Sequence, residues 1–390
     1  MKTEYEYIVL GCGGIGSGAA YWLSRRAGAD VLGLEQFELG HVHGGSQDHS
    51  RIIRLTYHHE NYTRLTPHTY PAWATLEAES AVQVVTKTGG IELALVDDPH
   101  HQDVENYAAA MDAAGIAYER FGGDEVMRRY PQFTIETEVD ALCQAETGLV
   151  DAAKGNAAHI GMARYHGATI LDQCAVKAIH PFEGGVDVET DQRTFSCRRL
   201  IITAGAWTDR VLAAVGLKLS LTVTQEQVTY FATPNLREFA IGRFPVFVWH
   251  GADCFYGFPI YGEVGTKAAI DASGPAVTVD TRTYEADEER ERRVEAWLKR
   301  YIPGFLGPKI YTKTCLYTMP KDRDFVIDAV PEYPQIIVCV GAGHAYKFAG
   351  LLGKILSQMA IDGETEYPIA PFTLNRPAIT NPDFEPLFHI

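Results

Sequence analysis

The sequence predicts an α/β fold in which a discontinuous, Rossmann-like nucleotide-binding domain is interleaved with a mixed β-sheet domain. Three observations predict it. Strand, glycine turn, helix, strand and acid follow one another at the start of the chain. An apolar strand runs into glycines again near the end, and the segments between carry alternating β-branched and aromatic residues. A chain of 390 residues with 46% hydrophobic and 22% charged residues also exceeds one ordinary core, so two domains are expected.

The elements follow in order. Tyr7–Leu10 is a continuous apolar run, as in a parallel strand covered on both faces. It enters GCGGIG at 11–16, then a helix from Ile15 to about Arg26, then a second strand, Val31–Leu34, ending at Glu35. Ala168–Ile170, Val186–Val188 and Leu200–Thr203 read as strands, the last ending in Ala204-Gly205. Gln227–Phe231, Val246–Trp249, Phe255–Phe258 and Thr266–Asp271 read as antiparallel strands, and Tyr284–Arg300 as a helix. Gln335–Val340 then leads into Gly341-Ala342-Gly343 and a helix over Ala349–Ala360. The expected division gives 1–85, 146–215 and 313–390 to the nucleotide-binding domain, and 86–145 and 216–312 to the substrate domain.

Gly11, Gly13 and Gly16 have the spacing that holds a dinucleotide. The first allows the tight turn, the second lets the backbone approach a pyrophosphate, and the third lets helix and strand pack closely. Glu35 can accept ribose hydroxyls and disfavours a 2′-phosphate, hence NADP. The fingerprint alone leaves FAD and NAD open.

The charge balance, 34 basic against 50 acidic residues, makes nucleic-acid binding unfavourable. No apolar stretch is long enough for a bilayer, and the acidic N-terminus lacks the features of a signal peptide. Seven scattered cysteines without a CxxC pair argue against a zinc site or disulfide scaffold and for a reducing cytoplasm. The closing Phe388-His389-Ile390 is not a peroxisomal address of the SKL type.

Three later segments narrow the cofactor: HGGSQDHSRIIRLTY from His43, TAGAW at the strand near 200, and GAGHAYKFAGLLGKIL. With YGFP at 256–259 and the cysteine at 315, they make the chain resemble the monomeric sarcosine oxidase and N-methyltryptophan oxidase family of FAD-dependent amine oxidases, within the D-amino-acid-oxidase-like superfamily. The resemblance runs from Tyr7 to about Asn375 and implies FAD. It implies that Cys315 bonds the flavin through a thioether, that Ser50 and Arg51 lie beside the ring, and that Arg54 and Lys347 take the substrate carboxylate. Gly343, His344 and Lys347 would face the pyrimidine edge, Lys267 would assist O2, and Tyr256 and Tyr317 would line the substrate cavity. Local composition leaves blander roles open: a buried apolar cysteine, solvated cations, tyrosines of the core.

Two positions depart from the family. Asp271 and Gln47 stand where the sarcosine and methyltryptophan oxidases carry histidines. An ionised Asp271 would favour a substrate with a second cation or with hydroxyls, or else it is a turn residue in DASG. The leading expectation is therefore an FAD oxidase of a secondary amine or N-substituted amino acid larger or more polar than sarcosine, forming H2O2 from O2 in a monomer or small homo-oligomer. The alternative is oxidation of an alcohol or sugar hydroxyl, with His344 as base and Gln47 and Asp271 as hydroxyl partners. A flavin- or NAD-binding sensor and an NAD-dependent dehydrogenase are the remaining readings.

Overall fold

A computed structural model describes residues 2–388. His389 and Ile390, the end of the tripeptide read against a peroxisomal address, lie outside the described residues. The parallel strands of the first sheet run in the order Tyr333–Val340, Thr194–Ile202, Glu4–Leu10, Val31–Leu34, Thr169–Leu171. Strand Thr194–Ile202 serves two neighbours along one edge. Its first half pairs antiparallel with Gly185–Thr190, and Leu200–Ile202 pair parallel with Ile336–Val338.

The central strands are apolar throughout because both faces are covered. One face packs under helices Gly14–Ala27, Ala152–Tyr165 and Ala349–Asp362, through side chains including Tyr21, Leu23, Leu352 and Ile355. The other face closes over Ile8, Leu32, Leu200 and Val338.

The second sheet runs Lys309–Met319, Thr222–Phe231, Thr266–Ile270, Phe255–Phe258, Val246–His250, Gly90–Leu95, Val139–Gln144, Glu119–Gly122. It is mixed, since Val246–His250 pairs parallel with Gly90–Leu95 while the other pairings are antiparallel. Helix Glu288–Tyr301 covers it with Val294, Trp297 and Leu298 against Phe247 and Trp249. A three-stranded sheet of Arg51–Ile53, Gly148–Val150 and Val85–Lys87 carries the arginine segment.

The structure moves several expected boundaries. Residues Tyr284–Asp287 precede the helix expected from Tyr284: the Asp287 carboxylate accepts the Glu289 and Arg290 amides and so fixes the start at Glu288. The expected division at 312/313 falls inside strand Lys309–Met319, which pairs along its length with Thr222–Phe231 in the second sheet. The division at 85/86 likewise falls inside Val85–Lys87. Among the described residues, no helix is long and apolar enough to cross a membrane. All seven cysteines are buried and unpaired.

Candidate active site

A cavity of about 1030 Å³ runs from the glycine turn at Gly11–Ile15, past Glu35, to Arg51, Arg54, Lys267, Asp271, Tyr256, Tyr317 and the Gly343–Lys347 turn. Its first end is built from backbone. Gly11 has φ +91°, and a Cβ there would lie 2.6 Å from Thr203 O. At Gly16 a Cβ would lie 1.7 Å from Gly11 O, so only glycine lets the helix start against the turn. Helix Gly14–Ala27 has no acid in its first turn; its Gly14 amide donates to Ser46 Oγ at 2.9 Å, and the positive helix end lies at the cavity. Glu35, buried, accepts the amides of Cys12 (2.9 Å) and Phe37 (3.1 Å), which fixes the carboxylate at the end of its strand. This cradle fits the diphosphate and ribose of FAD.

The second end is built from side chains. Asp48, buried and at φ +83°, accepts the Tyr230 hydroxyl at 2.8 and 2.9 Å and ion-pairs with Lys267 at 2.7 Å, Lys313 at 3.3 Å and Arg51 at 3.6 Å. Burial alone would raise its carboxyl pKa, but Lys267 and Arg51 hold it well below the usual carboxylate range. Lys267 is itself fixed by the carbonyl (2.7 Å) and hydroxyl (3.1 Å) of Ser50. Burial brings its pKa down to about 8 against the opposing pull of Asp48. Arg51 donates to the carbonyls of Ser50, Gly45 and Gln47.

The arginine expected on the substrate carboxylate is already partnered. Arg54 donates to buried Glu92 and, at 3.0 Å, to the Tyr107 hydroxyl, leaving its buried Nε without a partner among the described residues. Glu92 also meets His250 Nε2 and Thr56 Oγ1, each at 3.0 Å. Lys347 Nζ donates to the Tyr57 hydroxyl (2.8 Å) and to His344 O (3.1 Å); burial, with Arg54 nearby, takes its pKa well below that of an ordinary lysine.

His344 differs from its expected use as a base. Its Nε2 faces Arg323 O at 3.1 Å, so that nitrogen carries the proton, and Nδ1 accepts from Tyr57 at 3.0 Å. Burial, with Lys347 and Arg323 close by, lowers its pKa far below the ordinary imidazole value. Both of its nitrogens are thus engaged within the chain.

Asp271 also differs from expectation. Its Oδ2 lies 2.8 Å from Nη2 of the buried Arg323, so it does not present the uncompensated charge that would call for a cationic substrate. Gln47 gives its amide nitrogen to Thr314 O (2.7 Å) and Val42 O (3.2 Å), tying its loop to the adjacent strand rather than leaving those donors for a substrate.

Cys315 sits between Lys313 and Tyr317 on one face of its strand, and both neighbours line the cavity. Burial pushes its thiol up to about 11 against the pull of Arg51. Gly343, at φ +80°, closes the turn so tightly against Tyr317 that a Cβ would lie 2.6 Å from its ring.

Sequence reasoning missed Asp48, Tyr57, Glu92, Tyr107, His250 and Arg323. Glu92 alone had a local signal: one acid in the otherwise apolar strand Gly90–Leu95 marks a buried charge that needs a partner.

A glycine cradle joined by one cavity to a cluster of buried cations defines a flavin-dependent oxidoreductase. The chain belongs to the FAD dependent oxidoreductase family, matched over residues 6–359, and FAD is its cofactor. It is 30% identical to monomeric sarcosine oxidase of Bacillus sp. (strain B-0618) over 97% of this chain and 98% of that protein. It is 28% identical to human peroxisomal sarcosine oxidase (96% and 97% covered) and 27% to N-methyl-L-tryptophan oxidase of Yersinia pestis (96% and 99%). Among solved structures it superposes on NikD, an amino acid oxidase essential for nikkomycin biosynthesis, with TM-score 0.85 and 26% identity, covering 96% and 98% of the two chains. These relatives make the chain an FAD-dependent oxidase of the amine-oxidising kind, acting on a small molecule.

Proposed function

We propose that the chain oxidises the C–N bond of a secondary amine or N-substituted amino acid larger or more polar than sarcosine, with O2 as acceptor. The reading rests on one observation above all: among the described residues, the cations Arg54, Lys347 and Arg323 beside the cavity are met by two carboxylates, Glu92 and Asp271. One anionic group on the substrate balances that set, as the carboxylate of an amino acid would.

FAD, held by the glycine cradle and the Gly343–Lys347 turn, would supply the two-electron acceptor for the carbon beside nitrogen, with O2 as the final oxidant and H2O2 as its product. The chain's residues supply position and charge. Lys347 and Arg54 would orient the carboxylate, and the aromatic walls of Tyr256 and Tyr317 would exclude water. A neutral amine needs no protein base, so the engaged His344 is no obstacle; it positions Tyr57, and through it Lys347. Lys267 provides a fixed positive charge for the reaction with O2. Cys315 is the residue for a covalent flavin link, and the monomeric state carried in the bacterial relatives' names is proposed here too.

The test is anaerobic mixing of the yellow holoenzyme with N-methyl amino acids and, separately, with glycosides. Bleaching of the flavin by the amino acids is expected. Bleaching by glycosides alone would overturn the reading in favour of C–O oxidation.

A further inference from the structure

The turn at 11–16 reads GCGGIG, but the dinucleotide spacing uses only Gly11, Gly13 and Gly16. Gly14 is left over, and the structure gives it a reason. A Cβ at Gly14 would lie 2.9 Å from Cδ2 and Cε2 of Tyr346, whose ring packs on the first turn of helix Gly14–Ala27. The ring is held from other sides too. A Cβ at Gly155, in helix Ala152–Tyr165, would lie 2.7 Å from the Tyr346 hydroxyl oxygen and 3.1 Å from Trp73 Cζ3. Trp73 stacks on the Tyr346 ring with centroids 6.0 Å apart, and its Nε1 donates to Lys347 O at 2.8 Å.

The hydroxyl adds a polar link. It shares its proton between Ala152 O at 2.7 Å and Asn156 Oδ1 at 3.1 Å. The Asn156 amide nitrogen donates to Ser46 O at 2.6 Å, and Ser46 Oγ accepts the Gly14 amide at 2.9 Å. Tyr346, Asn156, Ser46 and Gly14 thus form a closed circuit of contacts between stretches far apart in sequence. All four residues line the cavity.

The circuit joins two parts of the cofactor site. Gly14 opens the helix whose positive end suits the diphosphate. Tyr346 belongs to the Gly343–Lys347 turn, on the wall left for the flavin ring. A ligand gripped at both parts is placed reproducibly only when they are fixed to each other by packing and hydrogen bonds.

We infer that Tyr346 is a positioning residue for the flavin: clamped between Gly14 and Gly155 and tied to Asn156, it fixes the Gly343–Lys347 turn to the diphosphate cradle. The turn then meets the ring at a set distance. Its preorganised dipoles can stabilise the negative charge that the ring acquires on reduction, and that stabilisation weakens if the turn drifts. The inference concerns the cofactor and holds for any substrate.

The experiment uses the holoenzyme without substrate, so it is independent of the amine-oxidation reading and of a bond from Cys315 to the flavin. Sulfite is the probe: it adds to flavin N5 and leaves negative charge on the ring, so its dissociation constant reports how well the protein meets that charge. The constant comes from bleaching of the flavin absorbance, and the reduction potential from equilibration with a reference dye. Tyr346→Phe keeps the ring and loses the hydroxyl; it should weaken sulfite binding by about fivefold, the usual worth of one hydrogen bond. Gly14→Ala and Tyr346→Ala should each weaken it by about tenfold and lower the potential. In the double variant the two effects should not add, because the alanine at 14 no longer meets a ring. Gly161→Ala, in the same helix as Gly155 but where an added Cβ meets nothing within 4 Å, should match the wild type. Unchanged sulfite affinity and potential in Tyr346→Phe and Gly14→Ala overturn the inference even if the denaturant midpoint falls, since a merely structural contact would move only that midpoint. Additive effects in the double variant overturn it as well. Should the other variants purify without flavin, Tyr346→Phe, the least disruptive change, decides alone.

Discussion

At the glycine end of the cavity the groups that face a ligand are main-chain amides, and their geometry is set by neighbours a few residues away: Gly11 turns, Gly16 admits the helix, and Glu35 receives Cys12. At the other end they are buried side chains, and each is paired to a residue far along the chain. Asp48 joins Lys267, Arg54 joins Glu92, and Asp271 joins Arg323. The first end meets its ligand's charge through dipoles that cost far less to bury than ions, whereas the second carries full charges whose burial must be offset by partners. The first end should therefore fail by steric exclusion and the second by charge imbalance.

The largest effect is expected from Gly16→Val. A Cβ 1.7 Å from Gly11 O cannot be relieved by a rotamer change, because the obstacle is backbone. The variant should purify with almost no flavin, or not fold, as measured by the ratio of flavin to protein absorbance. A yellow, fully loaded variant would break the contrast drawn above.

Glu92→Gln tests the charged end. It leaves Arg54 buried without its carboxylate and should cost about 3–5 kcal/mol of stability by denaturant unfolding. The wild type should show the matching pH dependence. Burial would raise the Glu92 carboxyl from 4.5, but Arg54, with help from His250 and Thr56, takes it down to about 2. A depressed carboxyl pKa stabilises the fold above the unfolded value, so this contribution is complete above about pH 5 and fades as pH falls from there toward 2.

What could be read in advance follows the same division. The strand–turn–helix–strand order, the return of the pattern at Gln335–Val340 and the central strands of the second sheet were legible, because each is a local apolar period ended by glycine or an acid. Strand Lys309–Met319 was not: it alternates threonine, lysine and tyrosine and is defined by its partner, Thr222–Phe231. The cations of the site were legible only through resemblance, and their acids hardly at all. Asp48, in SQDHS, and Arg323, in KDRDF, look like turn residues, and nothing local shows that one meets Lys267 and the other Asp271. For the same reason Asp271 read as an open charge and His344 as a free base.

Asp48→Asn should also destabilise, since it leaves Lys267 and Arg51 without their carboxylate, and its distinct signature should lie in the reaction with O2. Lys267 is charged below its pKa of about 8 and neutral above it, so reoxidation of the reduced enzyme should slow as pH rises through that value. Removing the Asp48 carboxylate removes the group that opposes burial, which lowers the pKa further and moves the alkaline limb to lower pH. If the pKa falls by about one unit, stopped-flow reoxidation at pH 8 should slow by about fivefold, while anaerobic reduction by substrate changes little. An unshifted limb would separate Lys267 from the O2 reaction.

The smallest energetic effect and the sharpest qualitative one should come together at Cys315, where the two ends of the cavity differ in how a cofactor can be held. The glycine end can only cradle. At the strand carrying Cys315 between Lys313 and Tyr317 we propose a covalent bond, and Arg51 favours the thiolate that such a bond requires although burial pushes the thiol pKa up to about 11. Cys315→Ala should change unfolding free energy by about 1 kcal/mol, as expected of a modest change at a buried thiol. After acid precipitation, the wild-type pellet should stay yellow and the variant's flavin should pass to the supernatant. If the wild type also releases its flavin, the thiol is a packed apolar group, and retention of the cofactor rests on the amides of the glycine turn alone.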